Sequence, residues 1–469
     1  MKRYKSRNKS HKQPKPQNQS LPTEPVEIKI ESLSHDGRGV GRYDGKATFV
    51  SNALPGETVL ALLNQAKSKF NEAVTTEIID SSESRISPSC PHYEQCGGCD
   101  LQHLNPESQI ALKQSQVLEQ LQRIGQSTPE EILPPLRSAV THYRRSARIG
   151  VNQLSDGEPI VGFRRRHSNL LCQIDNCEVL DARLENIFST VRNKLQDSGD
   201  VKPITHIEID LGDSGIAGNE GFMNVRLKKN ISDEQKAIFQ AIAEQYKLTL
   251  GFIGNEVEPA PPATDIGYQL GPDTLYFRSG DFIQVNAGIN HQMVNLANEL
   301  LEIKPGDRVL DLFCGLGNFS IPMARNGAQV TGIEGNSSMV QQAQLNAEHN
   351  KIEGCEFHCG NLAKELNGLH WYRKGYNKIL LDPPRAGAAT IIPQLTALTP
   401  EKVLYISCNP GALARDSRSF KEQGYTLKQF LVMDMFPQTH HLESMALFVK
   451  GKKPAKKPKL FSGKGHRGH

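Results

Sequence analysis

Three side chains able to act as nucleophile or base stand where apolar, strand-like runs begin or end in the last third of the chain. Cys408 closes "YISC", Asp382 closes "KILLD", and Glu443 directly precedes "SMALFV". A thiol flanked by carboxylates is equipment for nucleophilic addition followed by proton abstraction. A second constellation, "VLDLFCGLGNFSIPMA" over 309–324, reads as strand, glycine-rich turn and helix, in which Gly315 and Gly317 let the backbone close on a ligand. A third, "CPHYEQCGGC" over 90–99, sets Cys90, Cys96 and Cys99 in the pattern C-x5-C-x2-C. The chain has nine cysteines, and such clustering points to a metal or to catalysis rather than to a disulfide framework. With a fourth thiolate later in the chain, the set suits zinc or an iron–sulfur cluster, and spacing does not choose between them.

The glycine turn narrows the cofactor. A dinucleotide fingerprint requires a third glycine for close helix–strand packing, and residue 320 is Ser. S-adenosylmethionine carries no pyrophosphate and suits D-x-F-x-G-x-G better. Asp311 belongs to that turn. Glu334 ends the next strand, where an acid accepts hydrogen bonds from ribose hydroxyls, and Asn361 ends the third, where adenine contacts are expected. A nicotinamide site and a turn without a ligand are the alternatives. A methyl donor also explains the thiol. Carbon-5 of a pyrimidine is too weak a nucleophile to take a methyl group unaided. A thiolate adding to carbon-6 makes carbon-5 enolate-like, and a base must then remove the carbon-5 proton so that the thiolate leaves. Cys408 as nucleophile and Glu443 as base fit that scheme; a packed strand-end cysteine and a solvated glutamate are the bland alternative.

These residues need elements to hold them. From about residue 285 the pattern is regular α/β, with seven strands, the first five separated by helical segments, so a doubly wound, largely parallel sheet is expected. The loop "MFPQTHHLE" between the last two strands is too short for a parallel crossover and permits an antiparallel hairpin. If the last strand runs antiparallel beside the fifth, Glu443 shares the carboxyl rim with Cys408 and Asp382. Upstream, short β-prone runs over 21–80, with turn signals at Asp36-Gly37 and Asp44-Gly45, predict a five-stranded barrel. Strand and helix signals mix in between, in a stretch holding Arg144, Arg145, Arg148, Arg164, Arg165 and Arg166.

The expected organisation is multidomain. A basic disordered tail (1–20) precedes a β-barrel (21–80), a central α+β domain with the cysteine cluster (81–270), an α/β Rossmann-like domain with a seven-stranded sheet (271–450), and a second basic tail (451–469). At 469 residues, 37% hydrophobic and 23% charged, the chain reads as a globular protein without a spanning segment or signal peptide, and the expected location is cytoplasmic. The net charge of +4 includes seven Lys/Arg in 1–20 and eight in 450–469, neither with an acid, which leaves 21–449 at −11. Such arms attract a polyanion or serve as solvated tails.

"DFIQVN" (281–286), "DLFCGLGNFS", "LDPPRAG", "SCNPGALARD" and "HLESM" (441–445) resemble, in order, the motifs of the RNA uracil-C5 methyltransferases. The resemblance implies that Gln284, Phe313, Asn318, Glu334, Asn361 and Asp382 contact S-adenosylmethionine. It also implies that Phe282 shapes a pocket for a flipped base, with Cys408 as nucleophile and Glu443 as base. "SHDGRGVGRYDGKATFV" makes the barrel similar to a TRAM, OB-like RNA-binding module. Barrel and cysteines together resemble the subgroup acting on 23S ribosomal RNA, which implies a four-iron four-sulfur cluster on Cys90, Cys96, Cys99 and Cys177, with Cys172 a buried thiol. The expected substrate is a loop uridine of 23S ribosomal RNA, extruded into the pocket of a monomeric enzyme without a membrane partner. Transfer RNA, two ribosomal sites, and a noncatalytic RNA-binding iron–sulfur protein are the alternatives.

Overall fold

A computed structural model describes residues 21–216, 218–254 and 266–451; apart from Gly451, both basic tails lie outside the described residues. The described chain divides into two compact units. One comprises residues up to 111 with 163–172 and 437–441, the other 112–162, 173–436 and 442–451.

The first unit holds β1 (Val26–Leu33), β2 (Gly39–Tyr43), β3 (Lys46–Ser51), β4 (Thr58–Ala66) and β5 (Phe70–Asp80). They close a barrel in the order β1-β2-β3-β5-β4, leaving no free edge. Alternation turns Ile28, Ile30, Val50, Val59, Ala61, Leu63 and Ala73 into one core. The Asp44-Gly45 turn joins Tyr43 to its partner Lys46, both turn residues having positive φ (52° and 73°), as a two-residue hairpin requires. Closure is tight at Gly41, where a Cβ would lie 2.6 Å from Ile28 Cγ2. Glu57, fully buried, accepts from Leu54 N (2.7 Å), Ser82 N (3.2 Å) and Arg85 Nε (2.6 Å), so its charge is fully partnered. These bonds hold its carboxyl below the usual range against the opposing effect of burial.

Helix α1 (Pro106–Arg123) leads into the second unit, followed by β6 (Glu131–Ile132), β7 (Ser146–Gln153), β8 (Pro159–Arg164), β9 (Leu171–Gln173) and α2 (Ile187–Leu195). Then come β10 (Ile204–Leu211), β11 (Gly221–Leu227), α3 (Asp233–Gln245), β12 (Leu248–Ile253) and a hairpin of β13 (Gly267–Leu270) and β14 (Asp273–Tyr276). Strands β12, β11, β10, β7 and β8 lie side by side in that order. The start of α3 is the capping box written in "SDEQ": Ser232 and Gln235 each bond the other's backbone N–H with their side chains.

The α/β part contains α4 (Ala287–Leu301), β15 (Arg308–Leu312), α5 (Ser320–Arg325), β16 (Gln329–Glu334), α6 (Ser337–His349), β17 (Cys355–Cys359) and β18 (Lys378–Leu381). It continues with α7 (Ile392–Ala397), β19 (Lys402–Ser407), α8 (Pro410–Glu422), β20 (Tyr425–Met433) and β21 (Glu443–Lys450). Sheet order is β17-β16-β15-β18-β19-β21-β20-β6. The seven expected strands are present, and β20 and β21 pair antiparallel, but the sheet has eight. The eighth, β6, pairs Glu131 and Ile132 with Gln429 and Phe430. Two residues are too few to show a strand period, which is why the sequence does not reveal it. Strands β15, β18 and β19 read as apolar runs because parallel strands are covered on both faces. The strand order reverses between β15 and β18, and their carboxyl ends open the crevice expected of such a sheet. Among the described residues no helix is long and apolar enough to cross a membrane.

Candidate active site

The rim at the carboxyl ends of β15, β16, β18 and β19 carries the candidate chemistry. After β15 the chain turns through Phe313, whose φ of 64° is rare for a bulky residue, and through Gly315 and Gly317 at 55° and 89°. Phe313 N and Cys314 N both donate to Ile333 O (2.9 and 3.1 Å), fixing the turn against β16. Glu334 accepts from Gly315 N (3.3 Å) and Asn336 N (2.9 Å), so its carboxylate stands across the mouth of the glycine turn. Phe313, Glu334 and Asn361 line one cavity of about 590 Å³, with Leu362, Ile391 and the 386–390 loop forming an apolar wall. Asn361 itself is exposed, and its side-chain oxygen accepts from Ala363 N (2.9 Å).

The other three expected donor contacts are not in that cavity lining. Asp382 directly follows β18, half-buried, and burial pushes its carboxyl up to about 7. Asn318 is held by Tyr268 and Asn290 (both 3.0 Å to its oxygen), and the Gln284 carbonyl accepts from Arg145 Nε (2.7 Å). Asp311 lies beneath the turn, fully buried, with Oδ2 accepting from Ser320 Oγ (2.5 Å) and Oδ1 unpartnered among the described residues. Burial, opposed by the Ser320 bond and reinforced by Asp382 and Glu334, raises its carboxyl to about 7. Phe282 is 66% exposed, an unusual position for a phenylalanine without a partner.

Strand register brings Cys408 and Glu443 to one place. β19 and β21 run antiparallel with Ser407 opposite Ser444, so the next positions along, 408 and 443, face each other at the rim. Ser444 Oγ donates to Ser407 O (3.1 Å), locking this end of the ladder. The Asn-Pro-Gly after Cys408 begins a helix: Asn409 caps α8 by accepting from Gly411 N (3.0 Å) and Ala412 N (3.3 Å), and Pro410 takes its first turn. Asn409 Nδ2 also donates to Arg385 O (2.9 Å), tying the loop after β18 to the thiol's neighbour. Cys408 is half-buried and Glu443 is buried. Burial pushes the thiol up to about 11, the Glu443 and Asp382 carboxylates add to this, and Arg385 opposes it. Burial, reinforced by Asp382 and opposed by Arg385, pushes Glu443 well above the usual carboxylate range, which makes it a stronger base than an exposed glutamate.

Sequence reading misses two residues here. Arg385 lies in "DPPRAG" and shows no feature beyond its proximity to Asp382. Asp416, fully buried on α8, accepts from Ala388 N and Tyr405 OH (both 2.7 Å) and so pins the 383–388 loop; only the motif "ALARD" hints at it. All six central arginines make a side-chain hydrogen bond, two of them to backbone carbonyls of distant segments of the chain. Arg145 is buried beside Tyr268, and Arg166 donates to Cys96 O (3.2 Å) and Cys99 O (2.7 Å) while lying over the Tyr93 ring.

Cys90, Cys96 and Cys99 share one loop of the first unit, and Cys177 belongs to the second. None is in a disulfide. Among the described residues no group of three or more His, Cys, Asp or Glu side chains is arranged to hold a metal ion. The loop is nonetheless built: Tyr93 OH donates to Asp100 O (2.8 Å), and Gly98 N approaches Cys96 Sγ at 3.3 Å. Cys172 is 2% exposed, and burial raises its thiol, as suits a packed cysteine.

The sequence model of the family described as tRNA (Uracil-5-)-methyltransferase matches residues 270–451, and that of the TRAM domain matches residues 19–75. A relative from Alcanivorax borkumensis, 23S rRNA (uracil(1939)-C(5))-methyltransferase RlmD, is 41% identical over 452 residues, covering 92% of this chain and 98% of its own. The protein of the same name from Acinetobacter baumannii is 40% identical, covering 92% and 97%. The crystal structure of Pyrococcus abyssi tRNA (uracil-54, C5)-methyltransferase with S-adenosyl-L-homocysteine superposes with a TM-score of 0.69 at 23% identity. It covers 90% of this chain and 99% of that one, a likeness of fold. An N-terminal TRAM barrel, a methyltransferase sheet with a crevice at its switch point, and identity at this level over nearly the whole chain lead to one conclusion: the chain belongs to the RlmD family of 23S rRNA uracil-C5 methyltransferases.

Proposed function

We propose that this protein transfers the methyl group of S-adenosylmethionine to carbon-5 of a uridine in 23S ribosomal RNA, at the position named in its relatives. The observation that carries the reading is the β19–β21 register, which sets positions 408 and 443 face to face beside Asp382. The Cys408 thiol loses its proton to solvent, the thiolate sulfur bonds to carbon-6, and the carbon-5/carbon-6 π electrons move toward carbon-5 and the carbonyl oxygen. Carbon-5 takes the methyl from the sulfonium, which departs as the neutral thioether. Glu443 accepts the carbon-5 proton, and the returning electron pair expels the thiolate and restores the ring. Phe313, Glu334 and Asn361 hold the adenosine half of the donor; Gln284, Asn318 and Asp382 serve its methionine half, and Phe282 stacks on the flipped base. A single copy acting on structured RNA suffices.

The reading includes a four-iron four-sulfur cluster on Cys90, Cys96, Cys99 and Cys177. Support comes from donor chemistry: three soft thiol donors, Cys90, Cys96 and Cys99, closely spaced in sequence, with Cys177 as the fourth. Methyl transfer moves no net electrons, so the cluster's contribution is structural. A transfer-RNA substrate is the second reading, favoured by the fold likeness alone. The test is methyl transfer from labelled donor to unmodified 23S and transfer RNA, with 5-methyluridine mapped. Cys408→Ala is expected to abolish incorporation, and undiminished incorporation would remove the covalent route. Glu443→Gln is expected to trap an enzyme–RNA adduct; normal turnover would remove it as the base.

A further inference from the structure

Gln284 and Asn318, unlike Phe313, Glu334 and Asp382, do not stand at strand ends, so the main sheet does not by itself set them. Both are held from one place. At the edge of β7, Arg145 N donates to Val285 O (3.0 Å) and Arg145 Nε to Gln284 O (2.7 Å), clamping the backbone of that segment. The guanidinium lies 4.5 Å from the Tyr268 ring centroid, and Tyr268 OH donates to Asn318 Oδ1 (3.0 Å). Asn318 also exchanges two amide bonds with Asn290 on α4 (2.9 and 3.0 Å). A carboxamide oxygen has two lone pairs and the amide nitrogen two hydrogens. The Asn318 oxygen is therefore saturated by Tyr268 and Asn290, and one N–H is left to offer a ligand. The phenol sets which way that amide faces, because a hydroxyl donating to Oδ1 disfavours the flipped amide.

Arg145 is not a ligand site itself. It is 3% exposed, its Nη2 atom is buried without a partner among the described residues, and Asp213 stands 3.8 Å from Nη1. Leaving a guanidinium nitrogen unpartnered costs stability, and cation–π contact with Tyr268 offsets part of that.

We infer that Arg145 and Tyr268 are positioning residues for the methyl donor: together they fix the Gln284 segment and aim the free Asn318 N–H at an acceptor oxygen of the donor, its carboxylate. The inference rests on the donor-site reading above and adds that donor affinity is governed from outside the methyltransferase sheet, by the segment before β7 and the β13–β14 hairpin, through residues that do not touch the donor. Tyr268→Phe keeps the ring and removes one hydrogen bond to Asn318. Its Kd for S-adenosylmethionine and for S-adenosylhomocysteine, measured by calorimetry on the full chain, is expected to rise about fivefold. Methylation at saturating donor is expected to keep its kcat while the donor KM rises. Arg145→Lys, which keeps the charge and loses the Nε bond, is expected to shift Kd in the same direction. In an Asn318→Ala background, Tyr268→Phe is expected to add nothing further. Donor Kd unchanged in folded Tyr268→Phe and Arg145→Lys, whatever their melting temperatures, would overturn the inference. So would full additivity with Asn318→Ala. Unmutated protein that binds no donor would instead remove the reading beneath it.

Discussion

Cys408 carries an electrostatic conflict that the reaction has to resolve. Burial and two carboxylates raise its thiol to about 11, so at neutral pH it holds its proton in the free protein, and Arg385 is the cation that opposes this. Removing that charge moves a raised thiol further up, never down. Arg385→Met is therefore expected to slow adduct formation by a factor that stays constant while the pH is well below the thiol's pKa and shrinks only as the pH approaches it. Arg385 is exposed, so solvent screening keeps the effect modest, about fivefold near pH 7. Single-turnover adduct formation in a Glu443→Gln background, followed from about pH 6 to 9, reads it directly. A deficit that vanishes at saturating RNA would assign Arg385 to RNA binding instead. The roles of Cys408 and Glu443 are legible in sequence because each is the terminal residue of an apolar run. Arg385 acts through space, from an exposed loop with no period to betray it.

At the scale of elements, the piece that shapes the rim is α8 together with the loop after β18. Asp416 lies on α8 and accepts from Ala388 N and Tyr405 OH, joining helix, loop and β19 at one carboxylate. The fit leaves no slack at Gly387, where a Cβ would come within 2.6 Å of Asp416 Oδ2. In Asp416→Asn the carboxamide oxygen can keep both bonds only by setting its NH2 against Arg415 Nε, which donates to Asp416 Oδ1 (2.8 Å), and the cost is expected to be about 2 kcal/mol in urea unfolding. The same loop walls the donor cavity, so donor KM is expected to rise with it. Arg418→Ala on the same helix breaks only the exposed Arg418–Glu422 pair, and a loss below about 0.5 kcal/mol is expected. Equal losses in the two variants would refute the assignment. From sequence, Asn-Pro-Gly reads as the end of a strand. It is equally the start of a helix, since Asn caps and proline fits the first turn, and burial of Leu413, Asp416, Ser417 and Phe420 along one face of α8 selects the helix.

Across the molecule, the cysteine loop and the barrel belong to one compact unit and the reaction rim to the other. Arg166 bridges the Cys96 and Cys99 carbonyls within the first unit. Anaerobically prepared protein is expected to contain iron and sulfide in equal amounts with visible iron–sulfur absorbance. Cys99→Ser is expected to lose that absorbance and Cys172→Ser to keep it. Zinc in place of iron, or loss of absorbance only with Cys172→Ser, would overturn the ligand assignment.

The sequence by itself determined the order and type of the elements around the rim and which residues end them. In a parallel sheet those ends share one edge, so position along the chain translates directly into position at the crevice. Only the tertiary structure decided which arginines are bonded to distant segments of the chain. Arg145 and Arg166 look like part of a basic surface, yet Arg145 is bonded to a carbonyl 139 residues away and Arg166 to one 70 residues away. It also decided that the sheet gains an eighth strand from Glu131–Ile132. Pairings at such separations leave no local period or spacing, because they are set by which surfaces the folded chain brings into contact.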